Sequence, residues 1–180
     1  ASDLAEVGAG LQISPNAAHI LSALDVLPLI EATWLEPETV DLASGLSLKT
    51  LVSLPMKSVA RSRWHAPYGV LHRASLQQAL LATVRNNPLC RLHLGKRLET
   101  ASKSEIAKTI FTEPDLIIGA DGVWSSTRYA VPNSSVATFS GNIAWRFTLS
   151  GDDAPEFLNR TAVTAFLGPS AHVVAYPLAE

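Results

Sequence analysis

Cysteine is nearly absent from this sequence, and a single residue, Cys90, excludes an internal disulfide framework. Such scarcity is typical of proteins in a reducing compartment, so we expect a cytoplasmic location. Long apolar runs are absent too, because the longest, Ala17 to Ile30, is interrupted by His19, Asp25 and Pro28. A bilayer span needs about 20 predominantly apolar residues, so we expect no membrane partner.

Charge is also scarce, at 17% of residues with a net charge of -2, which leaves no basic field for nucleic acid. A content below the usual value of about 25% indicates that much of the chain is interior. The five histidines are scattered, with no pair four residues apart and no cysteine beside them, so no metal site is predicted. No Gly-X-Ser-X-Gly motif occurs, which argues against a serine hydrolase.

Local patterns predict several helices and strands. Ser14-Pro15 is a helix start, with serine as N-cap and proline at the first helical position. Residues 39–54 alternate apolar and polar around Ser44-Gly45, which indicates an antiparallel hairpin. A second helix begins near Arg73, where apolar residues recur at helical spacing. Further strands are predicted over these ranges: 92–98, 116–118, 139–149 and 162–178.

The strand at 116–118 differs in kind, because its continuous apolar core suits a strand buried on both faces of a parallel sheet. The remaining strands alternate, as antiparallel strands do. We therefore predict an α/β fold in which a parallel-sheet lobe is interleaved with an antiparallel-sheet lobe. The predicted bounds are 1–30 and 69–130 for the first lobe, and 31–68 and 131–180 for the second.

Two features near the N-terminal helix and the second helix suggest a ligand. Gly8 and Gly10, two residues apart, would let the backbone approach a flat ligand, although a plain turn before a helix explains them as well. Arg73 sits in a first helical turn, where the positive helix end disfavours a cation unless an anion lies close by. The alternative is an ordinary surface arginine.

Two further motifs are candidates. Asp121-Gly122 follows the predicted buried strand at its carboxyl end, where ligands of open α/β sheets collect, although a bare Asp-Gly is usually a turn. Trp145 and Arg146 could stack on a phenol ring and hold a carboxylate by paired hydrogen bonds. An edge-strand surface pair is the alternative for these two residues.

Four stretches, in order, resemble one family and together cover nearly the whole chain. They are 6–17, 71–76, 115–128, and 140–146 with 175–177. The stretches resemble segments of FAD-dependent aromatic monooxygenases of the p-hydroxybenzoate hydroxylase fold, in the salicylate hydroxylase-like branch. Because the four stretches occur in order and at plausible spacing, together they are stronger evidence of the resemblance than any one of them alone.

The resemblance implies an incomplete Rossmann-like FAD-binding lobe interleaved with an antiparallel substrate-domain sheet. By match to the family, Gly10, Leu11, Arg73 and Asp121 would bind FAD, and Arg146 would orient the substrate. The implied reaction is hydroxylation of a phenolic acid through a flavin C4a-hydroperoxide, with NADH or NADPH as co-substrate and molecular oxygen as oxidant. A homodimer is the expected assembly.

Family motifs are also missing. The glycine-rich FAD turn would lie before Ala1 and the Gly-Asp flavin motif after Glu180, so we expect this to be part of an enzyme, inactive alone. Residues 103–112 correspond to a hairpin in the family and are short for one. The alternatives are a non-catalytic truncated remnant, or a halogenase or epoxidase on the same fold. A halogenase would be expected to carry a lysine-bearing pocket segment, which we do not find.

Overall fold

The computed structural model describes residues 9–98 and 102–179. Its contacts divide the chain into two compact units, each considered by itself. Of the described residues, the large unit comprises 9–92 and 146–179, and the small unit comprises 93–98 and 102–145. The lobe bounds given by the sequence analysis stay a prediction.

The large unit contains most of the regular structure, in two sheets and four α-helices among its described residues. Its strands are β1 Gly10–Ile13, β2 Thr39–Ser44, β3 Thr50–Pro55, β4 Gly69–His72, β5 Ala162–Leu167 and β6 His172–Ala175. Its α-helices are α1 Pro15–Ala23, α2 Leu27–Ile30, α3 Lys57–Trp64 and α4 Arg73–Asn86, with a short 3-10 turn at Glu31–Thr33. The predicted helices at Pro15 and Arg73 and the predicted 39–54 hairpin are therefore confirmed.

Strands β1 and β4 form an antiparallel two-stranded ribbon, in which Gly10 pairs with His72 and Ile13 pairs with Gly69. Side chains alternate across a strand, so the ribbon has two faces. On one face Ile13 and Leu71 join a cluster with α1, α2 and α4, which we call the helical cluster. On the other face Val70 joins a second cluster, which we call the sheet cluster.

The sheet cluster lies between the ribbon and the second sheet. Ala60 of α3, Tyr68, Val70 and Val163 of β5 are its buried members, with Tyr176 and Leu178 packed at its border. The ribbon is therefore covered by apolar side chains on both faces. Burial of this kind contributes about 25 cal/mol for each Å² of apolar surface removed from water.

The second sheet has the strand order β3-β2-β5-β6. Its β2–β5 pair is parallel, with Asp41 beside Thr164, while the outer two pairs are antiparallel. Asp41 is buried in this sheet, and Ser53 of β3 donates a hydrogen bond of 2.6 Å to its carboxylate. The sheet is thus mixed, and the predicted purely antiparallel sheet is wrong at this pair, because two strands far apart in the chain lie side by side in the same direction.

The described part of the small unit holds little regular structure: helix α5, Lys103–Ile110, and a 3-10 turn, Thr127–Ala130. The strands predicted at 92–98, 116–118 and 139–149 are wrong, since these segments are irregular. Leu116 and Ile118 are 76% and 80% exposed. A strand needs a neighbour to satisfy its backbone groups, and no described segment of this unit pairs with them.

Helix α5 occupies the segment that the family comparison had assigned to a hairpin, so that expectation is also wrong. The hydroxyl of Ser102 accepts a hydrogen bond of 3.2 Å from the amide of Glu105, which caps the helix. The α/β class with two sheets is confirmed, while the parallel Rossmann-like sheet stays a prediction. No helix within 9–98 or 102–179 is long and apolar enough to cross a membrane.

Replacement of Leu71 by Ala tests the packing of the ribbon. Leu71 is fully buried in the helical cluster, so the variant should lose about 2–5 kcal/mol of unfolding free energy through lost transfer energy and a residual cavity. Urea denaturation of the intact protein measures the change. Leu46→Ala, at an 85% exposed turn position, is the control and should change stability by less than about 0.5 kcal/mol. Equal losses in the two variants would contradict this packing.

Candidate functional site

The ribbon of the large unit brings together residues that are distant in the sequence. Gly10 lies opposite His72, and the next residue, Arg73, donates its backbone N–H to the carbonyl of Ala9 at 3.2 Å. Arg73 is exposed at the first position of α4. The predicted cofactor residues Gly10 and Arg73 are therefore neighbours. Gly8, from the same motif, lies outside the described residues.

Tyr176 covers Gly10 on the sheet-cluster face of the ribbon. A Cβ at Gly10 would lie 2.6 Å from Cε2 of Tyr176 and 2.8 Å from Cδ2 of Leu178, so only glycine fits without a shift. The close approach expected at this glycine exists, but the flat group beside it on this face is a protein side chain. A role for Gly10 in holding a cofactor stays a prediction.

The predicted cofactor residue Leu11 lies on the opposite face of the ribbon from Gly10, because the two are consecutive in β1. Its side chain packs, partly buried, against the helical cluster. Any contact that Leu11 makes with a ligand on the Gly10 face would use its backbone. That contact also stays a prediction.

Two cations act on the hydroxyl of Tyr176. Burial raises the pKa of Tyr176, and the charges of Arg146 and Arg73 oppose that rise. Both arginines are therefore within electrostatic reach of one phenol group. The predicted substrate residue Arg146 thus joins Gly10 and Arg73 around Tyr176, and we call these four residues the Tyr176 cluster. Arg146 itself is exposed.

A second tyrosine lies beside the same face of the ribbon. The buried Tyr68 donates a hydrogen bond of 2.7 Å to Oε1 of Gln12. Burial, with a smaller contribution from Tyr176, raises the pKa of Tyr68 to about 12. The sequence analysis did not select Tyr68, Gln12 or Tyr176 as site residues. For Gln12 the sequence did offer a signal, because side chains alternate along β1 and this alternation puts Gln12 on the same face as Gly10.

Asp121, in the small unit, makes a dense set of local hydrogen bonds. Its Oδ1 accepts from the hydroxyl of Ser125 at 2.5 Å. Its Oδ2 accepts from the hydroxyl of Ser126 at 3.3 Å and from the amide and hydroxyl of Thr127 at 3.1 Å each. The Ser125 hydroxyl, followed by the Thr127 amide, holds the pKa of Asp121 well below its usual range. The carboxylate is therefore ionised and caps the Thr127–Ala130 turn.

Gly119 completes this local arrangement. A Cβ at Gly119 would lie 2.5 Å from Cβ of Thr127, so the glycine leaves the space that the threonine side chain occupies. Four bonds accepted by the Asp121 carboxylate leave it little further capacity, since two oxygens offer about four lone-pair sites. Oδ1 accepts one of these four bonds and Oδ2 accepts three.

A cleft of about 260 Å³ lies beside this turn and is lined by Asp121, Gly122, Ser125, Thr127 and Arg128, among others. The Nε of Arg128 is buried and has no hydrogen-bond partner in the described part of the chain. A buried guanidinium donor without a partner is unfavourable, and an anionic oxygen would satisfy it. The donor set of the cleft therefore fits the phosphate and hydroxyl groups of a nucleotide cofactor.

The five predicted site residues thus fall in two places. Gly10, Leu11, Arg73 and Arg146 belong to the large unit, where Tyr176 covers Gly10 and both arginines are within electrostatic reach of the Tyr176 hydroxyl. Asp121 belongs to the small unit. Among residues 9–98 and 102–179, no group of three or more His, Cys, Asp and Glu side chains is arranged to hold a metal ion.

Curated relatives share this chain's sequence over nearly its whole length. It is 29% identical over 184 residues to "3-hydroxybenzoate 6-hydroxylase 1" of Aquipseudomonas alcaligenes, covering 99% of this chain and 47% of the relative. It is 29% identical over 196 residues to "FAD-dependent monooxygenase OpS4" of Beauveria bassiana, covering 98% of this chain and 44% of the relative. The resemblance to FAD-dependent aromatic monooxygenases is therefore confirmed.

A solved structure gives the same fold. The tetrameric form of 2-methyl-3-hydroxypyridine-5-carboxylic acid oxygenase superposes with a TM-score of 0.60 at 17% identity, covering 99% of this chain and 47% of that one. No family model matches the sequence. The chain spans about half the length of the curated relatives that it matches.

The capping role of Asp121 can be tested by hydrogen exchange. In Asp121→Asn the amide group replaces one acceptor oxygen with a donor, so the Thr127 amide should exchange faster. Because the folded pKa lies below the ordinary value of about 3.9, the carboxylate's contribution is complete above that value. It is lost as the pH falls through the folded pKa. Thr127 protection should therefore not weaken between pH 8 and about pH 5.

Glu113→Gln, an exposed carboxylate in the same unit, is the control and should leave Thr127 exchange unchanged. Protection of Thr127 that declined steadily from pH 8 to about pH 5 would contradict an Asp121 carboxylate with a lowered pKa.

Gly10→Ala tests the contact with Tyr176. The added methyl should overpack this face and lower the unfolding free energy by about 1–3 kcal/mol. In a Tyr176→Ala background the same change should cost less, because the ring that it meets is gone. The control is Gly151→Ala, where the nearest atom lies 3.9 Å from the added Cβ. Denaturant unfolding of Gly10→Ala, Tyr176→Ala, the double variant and Gly151→Ala measures the coupling between the first two changes. If the two single losses of unfolding free energy add up to that of the double variant, the ring does not cover Gly10.

Proposed function

We propose that this chain forms part of an FAD- and NAD(P)H-dependent monooxygenase that hydroxylates a phenolic acid. The observation that carries the proposal is the Tyr176 cluster, in which Tyr176 covers a tightly packed glycine and two exposed cations lie within electrostatic reach of its hydroxyl. Such a surface suits a flat ring that carries an anionic tail or that lies beside an anionic substrate. Relatives named as hydroxylases and FAD-dependent monooxygenases support it.

The cations are suited to anions because they are not engaged elsewhere. Within the described residues the recorded salt bridge joins Arg61 to Glu36, and neither Arg73 nor Arg146 takes part in one. The first turn of α4 adds its own positive end at Arg73. The pyrophosphate of FAD carries negative charge that Arg73 would bind, and the carboxylate of a phenolic acid would suit Arg146.

The remaining predicted residues would divide the cofactor contacts. In the large unit, Gly10 and the backbone of Leu11 would contact the flavin. In the small unit, considered by itself, Asp121 would accept a hydroxyl of a nucleotide. The unpartnered Nε of Arg128 would donate to a phosphate oxygen. FAD, when bound, would supply the redox chemistry and the activation of molecular oxygen, with the hydride from NADH or NADPH.

The protein's own part is then positioning and exclusion of water. The raised pKa values of Tyr68 and Tyr176 keep both phenols neutral at physiological pH, so they act as hydrogen-bond donors rather than as bases. Relatives named as hydroxylases favour hydroxylation over the halogenase, epoxidase and inactive-remnant alternatives. A cytoplasmic location and a homodimer complete the proposal.

Arg73→Ala in the intact protein tests the cofactor assignment. Loss of one charge-assisted hydrogen bond should weaken FAD binding by about 1.5–3 kcal/mol, which is roughly 10- to 150-fold in Kd. Titration of the apoprotein by flavin fluorescence at fixed salt measures the Kd. Arg85→Ala, in the last turn of the same helix, is the matched control and should bind FAD normally. Equal affinity in Arg73→Ala and the parent protein would make Arg73 an ordinary surface residue.

A further inference from the structure

Tyr176 and Leu178 fill the face of the ribbon at Gly10. A Cβ at Gly10 would lie 2.6 Å from Cε2 and 3.1 Å from the hydroxyl of Tyr176, and 2.8 Å from Cδ2 of Leu178. Carbon atoms in contact are about 3.5–4.0 Å apart, so no layer of ligand atoms fits between Gly10 and these two side chains. A ligand that contacts Gly10 on this face must therefore take the place of the Tyr176 ring.

The residues that cover Gly10 belong to a short segment, 176–179, which we call the covering segment. It lies beyond the end of β6 at Ala175 and belongs to no strand. Its residues are half-buried, and Tyr176 and Leu178 pack at the border of the sheet cluster instead of among its buried members. The covering segment therefore has fewer contacts to lose on moving than a paired strand of the sheet has.

Pro177 links the two side chains that cover Gly10. Its ring fixes its own φ near about −65° and restricts the backbone of the residue before it, Tyr176. The covering segment is therefore stiff between Tyr176 and Leu178. We expect the two side chains to leave Gly10 together, by a rotation of the backbone close to the end of β6.

We propose that the covering segment is a gate, which closes the Gly10 face of the ribbon and must move away before FAD binds there. The proposal rests on the proposed function, because it takes Gly10 as a contact of FAD. FAD and the two covering side chains then compete for one surface. The apparent affinity for FAD is consequently the intrinsic affinity reduced by the fraction of molecules in which the gate is open.

Tyr176→Ala tests the gate by removing the ring from Gly10. We expect the rate constant for FAD association to rise about three- to tenfold, and the Kd to fall by a similar factor, because more molecules are open. Stopped-flow flavin fluorescence of the intact apoprotein measures the rate. Leu178→Ala, which keeps the ring and removes its neighbour, should give a smaller rise, and it provides the test if Tyr176→Ala does not fold.

Two further variants separate the bulk of the ring from other effects. Tyr176→Phe keeps the ring and loses the hydroxyl, so it should associate with FAD at the rate of the parent. Phe157→Ala is the control for loss of an aromatic ring, because Phe157 packs edge-on against Phe166, on the opposite face of the sheet from Val163. It should leave the association rate unchanged.

The outcomes distinguish this inference from the proposed function. If the parent protein binds no FAD, the proposed function itself fails. If the parent binds FAD and Tyr176→Ala associates with it no faster, the gate is overturned. Weaker FAD binding in Tyr176→Ala would also overturn it, because the ring would then be a contact of the bound cofactor. An equal rise in Tyr176→Phe and Tyr176→Ala would assign the effect to the hydroxyl and overturn it as well.

Discussion

The pairing of β1 with β4 is the constraint on which the large unit depends. Four backbone pairs, from Gly10 with His72 to Ile13 with Gly69, join the start of the chain to the start of α4. The ribbon so formed divides the apolar side chains into the helical cluster and the sheet cluster. Loss of this pairing would leave backbone groups without partners, which is unfavourable when they are buried. It would also expose both clusters at once.

The same alternation that separates the two clusters also divides the residues of β1 between two faces. Leu11 and Ile13 lie on the helical face, and Gly10 and Gln12 lie on the face of Tyr176. One strand of four residues thus carries packing on one side and candidate chemistry on the other. A substitution at Leu11 or Ile13 is therefore expected to disturb packing against the helices, and one at Gly10 is expected to disturb the contact with Tyr176.

Sequence predicted best what local interactions decide. The Ser14-Pro15 start and the helix at Arg73 depend on residues within a few positions, so both were found. The apolar run at 116–118 failed as a strand because a strand also requires a neighbour, which no described segment of its unit supplies. Family resemblance brought Gly10 and Arg73 into one hypothesis, but the Tyr68 contact joins distant residues and left no local pattern.

The parallel pairing of β2 with β5 has a consequence for how this chain acquires its fold. Thr39 lies beside Ala162, so the central contact of the four-stranded sheet closes a loop that contains the segment His93–Trp145 of the small unit. To form a contact between residues so distant in sequence, the chain must lose loop-closure entropy before the contact contributes any stabilisation. On the ribosome the hairpin of β2 and β3 would emerge long before β5. The edge of β2 that pairs with β5 in the folded sheet would stay unpaired until translation has passed Leu167.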